Sequence, residues 1–175
     1  MDFDEILTPG DIEAGIVNVV VEIPTGSKNK IEWNRDEEIM QLDRIEYDGE
    51  PANYGFIPRT LSGDGDELDV IVINKKPLPS ETFLKAKIIG VMKFEDEGKT
   101  DDKIIVVPEN DFGGDIKINE INDIPKSKID EITHHFNHSE NFNSQALTIV
   151  KGWGGKNEAI KIIYNAIKRW NNAKK

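Results

Sequence analysis

Residues 16–23 read Ile-Val-Asn-Val-Val-Val-Glu-Ile, a β-branched run closed on both sides by the breakers Gly15 and Pro24. Such a run packs well on a pleated sheet and poorly in a helix, so a strand is expected there. The pattern recurs. Residues 30–34 and 39–46 read as short strands, and Leu68–Asn74 is apolar on both faces apart from Asp69. Residues 83–94 form a long strand candidate, and residues 102–107 a return strand beyond a polar loop over 95–101. The period then changes. Asp123 and Pro125 open a helix expected to run to about His138, and Gln145–Lys151 reads as one more strand. From Asn157 onward, Ile160, Ile163, Tyr164, Ile167 and Trp170 recur at helical spacing opposite lysines, which predicts a helix packed on a sheet. Strands first and helices later argue an α+β fold with a mostly antiparallel sheet or small barrel. No linker or repeat divides the chain, so one domain over residues 1–175 is expected.

The chain has 175 residues and a net charge of −11. It shows no local basic stripe, so neither phosphate backbones nor a nucleic-acid partner is expected. There are 0 cysteines, which excludes disulfide scaffolds, thiolate zinc sites and thiol nucleophiles. No apolar run approaches the roughly 18 residues of a membrane span. The N-terminal residues Met1 to Glu5 lack the basic and apolar regions of a signal peptide, so a cytoplasmic location is expected.

The density of carboxylates has a pattern. Asp64, Asp66 and Asp69 surround a glycine turn at the mouth of a buried strand. Asp96 and Asp101 flank a hairpin loop, with Lys103 just beyond, and Glu22 stands near the end of the first strand. Gathered carboxylates repel and raise one another's pKa, so a converged set implies bound cations. Ligands that are all oxygen favour hard ions such as Mg²⁺, Mn²⁺ or Ca²⁺. Two common motifs fail. An EF-hand starting at Asp64 would need an oxygen ligand, Gly and Glu where Leu68, Asp69 and Lys75 stand. A P-loop ending in Gly98-Lys99-Thr100 would need Gly in place of Lys93. His134 and His138 are four apart and could share a helix face, but no HExxH base accompanies them. Partly exposed or interfacial histidines are expected. Phe136, Trp153 and Trp170 are expected to pack, and Gly113-Gly114 to form a turn.

Asp64-Gly65-Asp66-Glu67-Leu68-Asp69-Val70 resembles the D-G-D-P-x-D-V signature of soluble family I inorganic pyrophosphatases. Val21 to Glu32, Asp43-Arg44, Pro51 to Pro58, Asp96 to Lys103 and Gly152-Trp153 resemble further segments of that family in the same order. The likeness covers roughly residues 10–170. It implies a five-stranded oligonucleotide-binding-type β-barrel with flanking C-terminal helices, Mg²⁺-dependent hydrolysis of pyrophosphate to two phosphates, and a homo-oligomer, usually a hexamer. It also implies roles. Asp64, Asp69, Asp96 and Asp101 would be metal ligands, with Glu22 and Glu32 serving the metal and its waters. Asp66 would be the general base. Lys30, Arg44 and Tyr54 would bind phosphoryl oxygens, and Lys103 would balance charge beside the metals.

The substrate side departs from the pattern. Glu50 stands where the family usually has Tyr, Ser139-Glu140 where it has Tyr-Lys, and Glu67 where it has Pro. Two functions remain open from the residues: hydrolysis with another group, such as His138 or Lys151, at the leaving phosphate; or an impaired relative that binds Mg²⁺ and a phosphate-containing ligand.

Overall fold

The computed structural model describes residues 1–110, 117–138 and 148–174. Gly113, Gly114, Ser139, Glu140 and residues 145–147 therefore lie outside the described residues. The strands are β1 (Ile16–Ile23), β2 (Asn29–Asn34), β3 (Ile39–Ile45), β4 (Asn53–Ile57), β5 (Leu68–Val72), β6 (Phe83–Asp96), β7 (Lys99–Thr100), β8 (Lys103–Pro108) and β9 (Thr148–Gly154). The helices are α1 (Phe3–Ile6), α2 (Lys126–Asn137) and α3 (Lys156–Ala173).

Five strands close on themselves. β1 pairs antiparallel with β4, β4 with β5, β8 with β6, and β6 again with β1. The remaining junction, β5 with β8, is parallel. The result is the closed, mostly antiparallel barrel that the family resemblance implied. Strand β6 carries the closure. Its first residues pair with β1, its middle with β8 and its end with β9. The β2–β3 hairpin stands apart as its own two-stranded sheet.

Alternation explains why so many strand residues are apolar on both faces. From β1, Val17, Val19 and Val21 enter the barrel interior beside Leu68, Val70 and Val72. Val20, on the opposite face of β1, packs with Phe3, Trp33 and Phe56. In the latter cluster Trp33 stacks on Phe56 at 5.1 Å, and Phe3 meets Trp33 edge-on at 5.3 Å. A third group joins Ile71, Ile89, Met92 and Ile105 on the outer barrel face to Ile132 of α2. Each fully buried aliphatic side chain contributes about 1.5–3 kcal/mol.

Two expectations from sequence need correction, and two elements were not anticipated. The loop expected over 95–101 is a two-residue turn: β6 and β7 pair through Asp96 and Lys99 across Glu97 and Gly98. Both turn residues have positive φ, 51° and 78°, the requirement of a type I′ hairpin whose twist matches its strands. Helix α3 packs on the barrel through Ile160, Ile163 and Ile167 as expected, but its buried face also takes in alanines and leaves out Tyr164. Ala159, Ile163 and Ala166 are buried, while Tyr164 is 44% exposed. Alanines carry little hydropathy, yet they let a helix approach the barrel closely. Strand β4 and helix α1 escaped notice because one contains Asn and Gly between prolines and the other is a single turn. The aromatic expectation agrees with the packing found: Phe136 and Trp153 lie against the outer cluster, and Arg59 and Lys174 stack over Trp170.

Gly55 marks the closest approach of β4 to β1, where a Cβ would overlap the carbonyl oxygen of Val20. That oxygen is backbone and cannot swing aside. Gly55→Ala is expected to cost about 3 kcal/mol or more, whereas Gly63→Ala, with open space around it, should stay within about 0.5 kcal/mol. Urea unfolding of the two variants measures the difference.

Candidate active site

Every residue to which the family resemblance gave a role lines one cleft of about 730 Å³ at one end of the barrel. Its floor comes from neighbouring barrel strands. Glu22 lies on β1, Tyr54 on β4, Asp69 on β5 and Lys103 on β8. The turn before β5 contributes Asp64 and Asp66, the end of β6 contributes Asp96, and the link from β7 to β8 contributes Asp101. The β2–β3 sheet forms the facing wall with Lys30, Glu32 and Arg44.

Parallel pairing of β5 and β8 sets the centre of the acidic side. Its register matches Val70 to Ile104, so Asp69 and Lys103 stand side by side where the two strands begin. The buried Lys103 ammonium donates to Asp69 Oδ2 at 2.6 Å and to Asp101 Oδ2 at 2.8 Å. Burial opposes its charge, yet these two carboxylates hold its pKa above the ordinary lysine value. Burial, then the charges of Asp69 and Asp101, push the Tyr54 phenol well up.

One lysine does not balance the set. Burial, then the charges of Asp69 and Asp64, raise Asp101 to about 7 against the pull of Lys103. Burial and the charges of Asp64 and Asp69 raise Asp66, and burial and Glu97 raise Asp96. Glu22 is raised well above its ordinary value by burial and Asp69, although the Trp33 N–H donates to it at 2.8 Å. Burial and Asp43 raise Glu32. These carboxylates lack positive charge. Asp96 Oδ1 is buried without a hydrogen-bond partner among the described residues. An orphaned carboxylate oxygen within an all-oxygen donor set fits a hard divalent cation.

The facing wall holds a second arrangement. Lys30, only 2% exposed, donates to Glu50 Oε2 at 2.6 Å and lies 3.3 Å from Glu46 Oε2. Arg44 reaches Glu46 Oε1 at 3.1 Å and pairs with Asp43. His135 Nε2 is 3.6 Å from Glu50 Oε2. Ligand atoms of Glu46, Glu50 and His135 lie within 4.8 Å of one another, and the ammonium of Lys30 is the cation between the two carboxylates. Sequence reasoning missed Glu46 and His135 as cleft residues. Glu46 read as the end of a strand, and the histidine run pointed to the spacing of its outer pair. His134 and His138 do share a face, their rings stacked at 4.2 Å, but only His135 lines the cleft. Lys151 pairs with Glu95 at 2.6 Å, and neither it nor His138 lines the cleft. Glu67 was noted only as a departure. It pairs with Arg35 at 2.8 Å, and Arg35 lies 3.1 Å from Asp4 of α1, both at angles outside hydrogen-bond geometry. Burial raises Glu67 to about 7.

The family model for inorganic pyrophosphatase matches residues 19–171. The inorganic pyrophosphatase of Neisseria meningitidis serogroup B is 49% identical over 172 residues, covering 97% of each chain. That of Haemophilus influenzae is 51% identical, covering 97% of this chain and 98% of its own. Among solved structures, the inorganic pyrophosphatase from Neisseria gonorrhoeae superposes with a TM-score of 0.91 at 51% identity, covering 97% of this chain and 99% of its own. The one from Thermus thermophilus reaches 0.87 at 33% identity, covering 94% and 97%.

Excess negative charge in the cleft predicts linkage between cation binding and stability. A divalent cation at about 100 times its dissociation constant adds about 2.7 kcal/mol to the folded state. The melting temperature should therefore rise in MgCl2 relative to chelator plus NaCl at equal ionic strength. Asp96→Asn should shrink that rise. Differential scanning calorimetry reads both effects.

Proposed function

The chain belongs to the inorganic pyrophosphatase family, and from that premise we propose an assignment of its cleft residues to the hydrolysis of pyrophosphate. Pyrophosphate yields two phosphates, and the reaction depends on a divalent metal. In the proposal that metal is Mg²⁺, held by Asp64, Asp69, Asp96 and Asp101, with Glu22 and Glu32 oriented toward its waters. When bound, Mg²⁺ neutralises substrate charge and lowers the pKa of water.

The chain's own side chains divide the remaining work. Asp66 accepts the proton of the attacking water. Its carboxylate makes no hydrogen bond to the described residues, whereas Asp64 accepts from Ser62 and from the Asp66 N–H, and Asp69 and Asp101 are engaged by Lys103. Gly65, at φ 91°, allows the tight turn that exposes Asp66 to the cleft. Lys103 keeps Asp69 and Asp101 in register. Lys30, Arg44 and Tyr54 bind phosphoryl oxygens, the two cations offsetting the negative charge that pyrophosphate and its products carry throughout. The observation that carries this assignment is the convergence of carboxylates from four separate chain segments on one cleft, opposite a wall bearing Lys30 and Arg44.

The binding-only alternative is not favoured, because relatives half identical over nearly the whole chain are pyrophosphatases. A homohexamer and a cytoplasmic location complete the proposal. Exposed Ile45 (71%) and Tyr47 (76%) supply apolar surface that a partner copy would cover.

Asp66→Asn is nearly isosteric and removes the base. It should lower Mg²⁺-dependent phosphate release by about 10²–10⁴-fold while circular dichroism stays unchanged. Chelation of the metal should abolish release in the unaltered protein. Full activity of Asp66→Asn would remove Asp66 as base.

A further inference from the structure

We propose that Glu50 sets the affinity of the cleft for phosphoryl groups by holding the Lys30 ammonium against them. The inference rests on the reading of Lys30 as a phosphoryl ligand. It makes Glu50 a positioning residue that acts through Lys30.

A lysine ammonium has three N–H donors. At Lys30, three acceptors surround it: Glu50 Oε2 at 2.6 Å, Glu46 Oε2 at 3.3 Å and the Ser27 carbonyl at 3.3 Å. With Lys30 only 2% exposed, its donors are committed inside the protein. A phosphoryl oxygen gains Lys30 only by taking a donor from one of these partners. Burial also keeps the Glu50 contact from being screened by salt or water.

The two glutamates are not equivalent. Glu46 is balanced a second time, by Arg44 at 3.1 Å. Glu50 has the shorter contact to Lys30, and its other neighbour is His135 at 3.6 Å. The main chain of Glu50 is pinned: its N–H donates to Ser27 O at 2.9 Å and its carbonyl accepts from Gly26 N–H at 2.7 Å. The pinned main chain limits how far the carboxylate can follow Lys30 toward a phosphoryl oxygen. Reaching a phosphoryl oxygen separates the pair, and that cost is charged equally to substrate, transition state and product. An interaction lost uniformly raises KM and speeds product departure without lowering the chemical barrier.

Glu50→Gln keeps shape and an acceptor but removes the charge. It is expected to tighten binding of inorganic phosphate and of imidodiphosphate, a pyrophosphate analogue that resists hydrolysis, about tenfold by calorimetry in Mg²⁺. The KM for pyrophosphate should fall by a similar factor and kcat should not rise. Glu50→Asp, which draws the charge back by one methylene, should shift the same way by less; it serves if the Gln variant melts early. In a Lys30→Gln background the effect of Glu50→Gln should vanish, which a merely structural role would not produce. Affinities and KM unchanged within about twofold, or a shift that persists without Lys30, would overturn the proposal. Absence of phosphate release by the unaltered protein would instead count against the enzymatic assignment, since the two calorimetric ligands judge Glu50 without turnover.

Discussion

The ammonium of Lys103, buried between Asp69 and Asp101, is the contact around which the cleft is arranged. It exists because β5 and β8 run parallel, so both strands begin at the same end of the barrel. In an antiparallel pair the two strands would begin at opposite ends. Buried ion pairs of this kind are poor sources of net stability, because desolvation offsets much of the attraction. Their value here is geometric. One cation fixes two carboxylates from different strands while leaving the acidic set short of positive charge.

A second lysine performs a related task on the facing wall, with a different consequence. Lys103 is held by acids that the family assignment gives to the metal. Lys30 is held by Glu46 and Glu50, which that assignment does not use. Each wall thus carries a buried lysine whose charge is already spoken for. On one side the remaining negative charge fits a divalent cation. On the other, the cation proposed to bind substrate is shared with the protein's own carboxylates. Arg44, more exposed and also joined to Glu46, is part of that sharing.

Much of the fold was legible because its signals are local. β1 coincides with the β-branched run between Gly15 and Pro24, and β6 with the long apolar segment from residue 83. The acids were legible because carboxylates at strand ends are an unusual expense unless they converge. Elements specified by tertiary context were harder to see. Strand β4 contains Gly55 because β1 passes too close for a side chain, and nothing in its own five residues announces that neighbour. The part that Ala159 and Ala166 play beside Ile163 in the buried face of α3 was hidden by a hydropathy pattern that favours large residues. The turn at Glu97-Gly98 looked like a loop because its polar residues suit either, and only the pairing of β6 with β7 decides.

The residue sequence by itself determined the strand-rich α+β class, the acidic, cysteine-free chemistry and the identity of the carboxylates, since each follows from composition or short-range pattern. Tertiary structure decided which charges are partners. That Lys103 answers Asp69 across 34 positions, that Lys30 is held by Glu50 across 20, and that His135 rather than His134 or His138 reaches the cleft are consequences of barrel register and helix rotation. Coulomb interactions depend on distance in space and on burial, and neither is written in the separation of residues along a chain.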